Sequence, residues 1–382
     1  MLVKPDYSNS IVNLMSSIVQ SSGVNSPYSP LEILPPNDLE DIDNILLIAI
    51  DGLGYNYLKK TGSQTFMKHH LKDSITSVFP PSTGSAMSSI YIGLAPQQHT
   101  LVGWWVYLRE YGIVSRILPF SNVVDYNVFG TNIAHVIDTN PLPPSMNRDN
   151  HIFLRKQIVD STFTRHVVQS ANRVGYTDID DFFQSIKRTI STPTSNQYLL
   201  AYWPQLDEIN HLLGPSCHEA SEHLVEIDSR LQMLVEDLKG TNTKIIITSD
   251  HGFNDVPKEN QILTQDYPEF TDSLILPLCG DTRSAFCYIR PKRTHEFEKY
   301  VERNLSDICD LFVSEDLIAQ HWFGQHTMNP KLPSRVGDYT LICKENFAII
   351  NSYPGIETPN LLGHHGGSSS DEMLVPLIVY DC

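Results

Sequence analysis

Continuous apolar runs recur along the chain, separated by stretches with helical periodicity. Four such runs span residues 44–50, 198–203, 244–248 and 374–380, and each is short. Runs of this kind are typical of strands that are buried on both faces of a parallel sheet. Between them lie helical patterns such as residues 223–238, where leucine and isoleucine recur on one face. This alternation predicts an α/β fold with a doubly wound, mostly parallel sheet flanked by helices.

One long stretch interrupts the alternation. Residues 271–340 combine proline and glycine breaks with a strand-like piece at 285–291 and a helical pattern at 295–305. We therefore expect this stretch to form a smaller inserted cap that selects the substrate. Residues 1–270 and 341–382 then form the core.

Two other segments add detail to this division. Residues 104–150 are irregular and rich in aromatic side chains, which either wall a substrate pocket or simply pack. The apolar spacing over residues 11–19 predicts an amphipathic helix that packs on the core.

Composition narrows the classes of ligand and location. The 382 residues include 44 acidic and 27 basic side chains, a net charge of −17. This balance excludes a long footprint on a nucleic-acid polymer, which needs clustered lysine and arginine, but it is compatible with a small phosphoester or nucleotide substrate. The start of the sequence lacks a signal-peptide pattern, and no apolar run approaches the ~18 residues of a membrane span. We expect a soluble, cytoplasmic protein with six reduced cysteines, and the oligomeric state stays open.

Three aspartates follow the predicted core strands. Asp51 comes directly after the first strand, Asp207 lies shortly beyond the second, and Asp250 lies just beyond the third. Because ligands of such sheets bind beyond the carboxyl ends of the strands, we expect the three carboxylates to converge on one edge. Taken alone, Asp51 is also explained as an ordinary helix N-cap.

Histidines accompany two of these aspartates. His211 lies four residues after Asp207, so one helical turn places both on the same face, and His251 directly follows Asp250. Carboxylates and imidazoles suit zinc, and two ions need about seven or eight ligands between them. The sequence therefore predicts a site for two divalent ions, Zn²⁺ with Mn²⁺ as the alternative.

A candidate nucleophile stands before a helix of small residues. Ser82, Thr83 and Ser85 lie at the start of the helix predicted at 84–92. A hydroxyl there sits in a positive field, and a metal ion would lower its pKa further, although an N-cap role is the ordinary alternative. The residues alone do not separate the three hydroxyls.

Two further positions are left open. His364 and His365 lie between glycines just before the last apolar run, and spacing does not separate them as ligands. Arg283, in the expected cap, is expected to form a structural ion pair, with contact to a substrate phosphate as the alternative.

Taken in order, these segments resemble the alkaline phosphatase superfamily and, within it, the type I phosphodiesterase/nucleotide pyrophosphatase family. The matching segments are IAIDGLG, FPPSTGSAMSSIYIGLAPQQHTLVG, LDEINH, TSDHGF and GHHGGSSSDEMLVPLIV. The resemblance covers about residues 44–110, 195–256 and 360–382. It implies an alkaline phosphatase-like catalytic core.

The resemblance also implies a role for each candidate. The family's nucleophile stands ten residues before a glycine that corresponds to Gly93, which makes it Thr83, and the late histidine ligand corresponds to His365. One implied zinc ion is held by Asp207, His211 and His365. The other is held by Asp51, Asp250, His251 and the Thr83 hydroxyl.

The implied activity is metal-dependent hydrolysis of phosphodiesters or nucleotide pyrophosphates through a phosphothreonine intermediate. One position departs from the family, because Trp104 stands where the family has an asparagine that holds a phosphate oxygen. Gly84, through its backbone N–H at the helix start, is expected to supply that contact, with Trp104 also at the substrate. Without the asparagine, a phosphomonoesterase or a phosphonate-ester hydrolase is the main alternative. A mutase-like phosphosugar enzyme and an inactive phospho-ligand binding protein are the others.

Overall fold

The structure is a computed structural model and describes residues 2–124, 127–192, 195–352 and 360–382. Its strands are β1 (Asn44–Ile50), β2 (Leu71–Thr76), β3 (Trp105–Leu108), β4 (Ile113–Arg116), β5 (Ser121–Asn122), β6 (Asp149–Arg155), β7 (Asn172–Tyr176), β8 (Gln197–Trp203), β9 (Thr243–Thr248), β10 (Asn254–Asp255), β11 (Gln261–Leu263), β12 (Cys279–Gly280), β13 (Ser284–Cys287), β14 (Cys309–Val313), β15 (Tyr339–Cys343), β16 (Ala348–Ile350), β17 (Gly363–His364) and β18 (Leu374–Asp381). Its α-helices are α1 (Ile11–Gln20), α2 (Asn37–Glu40), α3 (Tyr55–Thr61), α4 (Phe66–His69), α5 (Thr83–Ile92), α6 (Pro96–His99), α7 (Thr162–Val168), α8 (Ile179–Ser191), α9 (Gln205–Leu213), α10 (His218–Asp237), α11 (Pro268–Thr271), α12 (Thr294–Asn304), α13 (Ser314–Ala319), α14 (Leu332–Val336) and α15 (Ser370–Met373).

The central sheet has the strand order β2-β18-β9-β1-β8-β6-β7. Strands β9, β1, β8, β6 and β7 run parallel to one another, which confirms the predicted doubly wound, mostly parallel sheet. Strand β18 instead pairs antiparallel with both β9 and β2. Its grouping with the parallel strands was wrong, because an apolar run reports burial on both faces and not strand direction.

Strand β1 explains why the sheet needs helices on both sides. All of its residues are buried, and successive side chains point to opposite faces. Ile45 and Leu47 belong to an apolar cluster that includes residues of α1 and α5. Leu46 and Ile48 belong to a second cluster, on the other face, that includes residues of α8 and α10. Helices packed on both faces therefore hold the strands in place. They also determine the position of the sheet edge at which the strands end.

A second sheet has the order β14-β15-β13-β12-β3-β4-β5. Its strands come from residues 105–122 and from residues 279–343, and they meet where Gly280 of β12 pairs with Trp105 of β3. The expected strand and helix of the cap correspond to β13 and α12. The aromatic stretch thus contributes strands to the same sheet as the expected cap. The division into core and cap stays a prediction.

Other sequence predictions can be compared directly. Helices α1, α5 and α10 confirm the helical patterns at 11–19, 84–92 and 223–238. The six cysteines are free thiols, as expected. Within the described part of the chain, every helix is too short or too polar to cross a membrane.

A buried ion pair joins the second sheet to α15, the helix directly before β18. Arg283 donates from Nε to Glu372 Oε1 at 2.7 Å and from Nη2 to Glu372 Oε2 at 3.1 Å. The guanidinium also donates to the backbone carbonyls of Glu345, at 2.8 Å, and of Phe347. Arg283 therefore forms the expected structural ion pair, with its donors occupied within the protein.

We predict that Arg283→Ala lowers the free energy of unfolding by about 3–5 kcal/mol, because it leaves the Glu372 carboxylate buried without its partner. Urea or thermal unfolding measures the change. The matched control is Lys239→Ala, which removes an exposed ion pair with Glu236 and should leave the unfolding midpoint unchanged. Equal midpoints for the two variants would contradict a structural role for the buried pair.

Candidate functional site

Three adjacent strands bring the predicted carboxylates to one edge of the central sheet. Strands β9, β1 and β8 are neighbours, and Asp250, Asp51 and Asp207 follow them in that order. Asp51 comes directly after β1, whereas Asp207 lies in the first turn of α9, just beyond β8. The three carboxylates therefore lie at one edge of the sheet, as the sequence predicted.

Each carboxylate keeps one buried oxygen without a hydrogen-bond donor. These atoms are Asp51 Oδ1, Asp207 Oδ1 and Asp250 Oδ2. Burial raises the pKa of Asp51 well above its usual value and raises that of Asp207 to about 7, and neighbouring carboxylates add to both shifts. An unpaired buried carboxylate is costly, and a bound cation removes that cost. The residues therefore fit divalent metal ions.

Asp51 is oriented by a tyrosine that the sequence analysis did not single out. Tyr202 Oη donates to Asp51 Oδ2, and both side chains are buried. This bond leaves Oδ1 as the oxygen that faces His251, whose Nε2 lies 3.3 Å away. The sequence held no signal for this role, because Tyr198 in the same strand carries an equivalent hydroxyl.

The three predicted histidines each bond a backbone carbonyl through Nδ1 and direct Nε2 to the site. Nδ1 lies 2.9 Å from a backbone carbonyl in His211, 3.2 Å in His251 and 3.2 Å in His365. A carbonyl only accepts, so Nδ1 carries the proton and the lone pair of Nε2 is free for a ligand. Burial lowers the pKa of His211, and burial together with the neighbouring imidazoles lowers that of His365 further. Neutral imidazoles are the form that binds metal.

The ligand atoms fall into two overlapping groups. The groups are Asp51, Asp250 and His251, and Asp207, His251 and His365, with their ligand atoms within 4.8 Å of one another. His211 Nε2 adjoins the second group, 3.6 Å from Asp207 Oδ1. The rings of His251 and His365 stack with centroids 3.7 Å apart. The predicted set thus lies together, while the grouping that pairs His211 with Asp207 and His365 stays a prediction.

Geometry separates the three hydroxyls that the sequence left open. Thr83 Oγ1 lies 3.2 Å from His251 Nε2, and the side chain is 8% exposed. Ser82 Oγ instead donates to Asp281 Oδ2 at 2.5 Å, and Ser85 Oγ donates to a backbone carbonyl. Both serines are fully buried. Of the three hydroxyls, Thr83 is the one that adjoins the metal-ligand set.

The two neighbouring histidines separate in the same way. His365 stacks on His251, as described above, whereas His364 Nδ1 lies 3.0 Å from Thr282 Oγ1 in the second sheet. The structure thus places His365 in the ligand set and His364 beside it.

The two predicted substrate contacts lie at the start of α5 and just before β3. A side chain at Gly84 would place Cβ 2.3 Å from the carbonyl oxygen of Gly103, so only glycine allows this close approach. Trp104, the next residue, is half-buried, and its carbonyl accepts from Ile117 N–H at 3.1 Å. Gly84 is the second residue of α5, Trp104 follows the glycine that contacts it, and the contact of either residue with a substrate stays a prediction.

Asp281 and Phe253 complete the surroundings. Asp281 comes from the second sheet, and burial raises its pKa to about 6. Phe253 is buried against the rings of His211, His251 and His365, with centroids 4.9–5.5 Å apart. The sequence analysis considered Arg283 but not its neighbour Asp281, because a lone aspartate in a turn has an ordinary structural explanation.

Buried carboxylates and imidazoles at the edge of a mostly parallel sheet, beside a hydroxyl at a helix start, define a candidate metal centre of an α/β hydrolase. Residues 45–368 match the profile of the family described as type I phosphodiesterase / nucleotide pyrophosphatase. The chain belongs to this family, whose members are metal-dependent hydrolases.

Similar proteins agree with this assignment. The chain is 25% identical over 345 residues to human ectonucleotide pyrophosphatase/phosphodiesterase family member 5, covering 85% of this chain and 66% of the human protein. Murine ENPP5, as an inactive threonine-to-alanine variant in complex with AMP, superposes with a TM-score of 0.67 at 16% identity, covering 88% of this chain and 87% of the murine one. Human ENPP5 gives 0.65 at 18% identity, with the same coverage. These structures share the fold of this chain. The expected cytoplasmic location finds no support in the relatives, whose names carry the prefix "ecto".

We predict that zinc raises the melting temperature more at pH 7.5 than at pH 5.5. In the metal-free protein Asp207, with a pKa of about 7, keeps its proton at pH values where the unfolded chain, near pKa 4, has lost it. Stability of the metal-free form therefore falls as the pH rises through about 4 to 7, and metal binding removes this loss.

Thermal unfolding of chelated and zinc-loaded protein across this range measures the difference. Asp207→Asn, which cannot titrate, should flatten the pH dependence of the chelated form. A zinc increment that stays constant or shrinks towards pH 7.5 would contradict the prediction.

Proposed function

We propose that the protein is a zinc-dependent phosphodiesterase that acts on a nucleotide or a similarly small phosphoester, with Thr83 as the nucleophile. The observation that carries this proposal is the position of the Thr83 hydroxyl, 3.2 Å from His251 Nε2 within a buried set of unpaired metal-ligand atoms. Membership of the family supports the reaction class. The match spans 66% of the human relative. The substrate and partners of this chain are therefore part of the proposal and are not taken over from that relative.

The proposed ligands divide between two ions. Asp207, His211 and His365 would hold one ion, and Asp51, Asp250, His251 and the Thr83 hydroxyl would hold the other. When bound, the pair supplies positive charge to the attacking and leaving oxygens of an in-line displacement.

The protein's own groups then account for the remaining steps. Thr83 Oγ attacks phosphorus, and the bond to the leaving alcohol or phosphate breaks on the opposite side. Water attacks the resulting phosphothreonine from the side that the leaving group vacated, which restores the Thr83 hydroxyl and releases the product. Thr83 and Gly84 are the first two residues of α5, where backbone N–H groups have no partner within the helix and can bind phosphoryl oxygens.

Two observations bear on the substrate. The murine neighbour bound AMP and was inactive as a threonine-to-alanine variant, which supports a nucleotide-directed reaction centred on a threonine here. Trp104 stands where the family has its phosphate-contacting asparagine, and this departure favours a phosphomonoester or phosphonate ester as the second candidate.

We predict that Thr83→Ala lowers kcat at least a thousandfold, because the covalent route is lost while fold and metal content remain. Hydrolysis of bis-p-nitrophenyl phosphate, metal analysis and thermal unfolding provide the three readouts. Ser85→Ala is the matched control, since it removes a neighbouring buried hydroxyl that bonds only backbone carbonyls. Near-normal turnover in Thr83→Ala would refute the nucleophile.

We predict that the zinc-loaded enzyme has a higher kcat/KM for bis-p-nitrophenyl phosphate than for p-nitrophenyl phosphate. This expectation follows from the reaction class of the matching family, which is described as type I phosphodiesterase. A panel of nucleotides, dinucleotides, phosphosugars and phospholipid head groups then identifies the class of leaving group. A preference for the monoester would favour the second candidate.

A further inference from the structure

The turn between β12 and β13 reaches from the second sheet into the candidate site. Asp281 Oδ2 accepts from Ser82 Oγ at 2.5 Å, and Thr282 Oγ1 lies 3.0 Å from His364 Nδ1. These contacts fall on the residue before the proposed nucleophile and on the residue before the late histidine ligand. Neither Asp281 nor Thr282 belongs to the proposed metal-ligand set.

Contacts on both sides hold this turn in place beside the candidate site. Arg283, the next residue, forms the buried ion pair with Glu372, whose Oε1 also accepts from Gly367 N–H at 2.7 Å. On the other side, a side chain at Gly103 would place Cβ 2.5 Å from the carbonyl oxygen of Gly280, so the two backbones are in direct contact. Asp281 is therefore fixed relative to α5 and not on a free loop.

Ser82 is an N-cap residue that does not cap. Its extended backbone, with φ −139° and ψ 146°, is typical of an N-cap, whose side-chain oxygen ordinarily accepts from the second or third helical N–H. Ser161 does this at the start of α7, where Oγ accepts from Thr164 N–H at 3.1 Å. The Ser82 hydroxyl makes no such bond and points to Asp281 instead.

We propose that Asp281 is a positioning residue for the Thr83 reaction: it binds the Ser82 hydroxyl and so keeps it off the start of α5. The backbone N–H of Gly84, the second residue of the helix and a possible donor to an N-cap oxygen, then stays available to the oxygens of the transferred phosphoryl group. The carboxylate acts through Ser82 and does not touch the substrate. This inference rests on the proposed function, because it assigns the start of α5 to phosphate binding.

Three variants test the proposal. Asp281→Ala frees the Ser82 hydroxyl to cap the helix, and we expect kcat/KM to fall and the inhibition constant of inorganic phosphate to rise, each about tenfold. Asp281→Asn keeps an acceptor for the hydroxyl and should stay within about threefold of the wild type. The double variant Asp281→Ala, Ser82→Ala has no hydroxyl left to cap the helix and should recover most of the lost kcat/KM.

The pattern among the variants decides the outcome. If Asp281→Asn is as impaired as Asp281→Ala, the charge matters and not the hydrogen bond, and the proposal is overturned. Failure of the double variant to recover overturns it as well. Should Asp281→Ala not fold, Asp281→Val keeps a similar volume without an acceptor and carries the same expectation.

Two further measurements separate this proposal from the proposed function. Metal content should equal that of the wild type in every variant, which excludes an effect through the ligands. Ser161→Ala, the matched loss of a working N-cap, should lower the melting temperature without changing kcat/KM. Activity in Thr83→Ala would contradict the proposed function. The Asp281 variants all keep Thr83, so their activities test only the positioning role.

Discussion

The strongest physical constraint on this protein is the cluster of carboxylates that it buries at the edge of the central sheet. Asp51 and Asp250 are fully buried, each with an oxygen that no donor in the protein satisfies, and Asp207 adds a third. Such a cluster opposes folding unless protons or cations neutralise it. Burial lowers the pKa values of His211 and His365, and both rings bond a carbonyl through Nδ1, which leaves Nε2 for a cation.

Much of the site followed from the sequence because it depends on strand ends. The runs at 44–50, 198–203 and 244–248 are apolar except at some of their ends, which identifies buried strands. Residues that follow parallel strands meet at one edge. Thr83 and His365 needed more than this reasoning. The three hydroxyls near residue 83 and the two histidines at 364–365 are equivalent by pattern, and only the family spacing or the geometry tells them apart.

The parts that escaped prediction depend on long-range contacts. Nothing in its own strand marks Tyr202 as a partner of Asp51, and nothing near Gly280 indicates that Asp281 reaches Ser82, because those partners lie about 150 and 200 residues away. The direction of β18 was missed for a related reason, since an apolar run carries no information on polarity. The pairing of β3 with β12 also joins segments that sequence analysis treated separately.

Strand β18 fills the gap between β2 and β9, and the segment just before it carries His365. During synthesis on the ribosome, the aspartates at the strand ends emerge long before that histidine and that strand. The half-made chain therefore displays an acidic, incompletely ligated pocket and an open sheet edge. The sheet can close only when residues 374–381 have been made, so the edges of β2 and β9 that β18 covers stay unpaired until the end of synthesis.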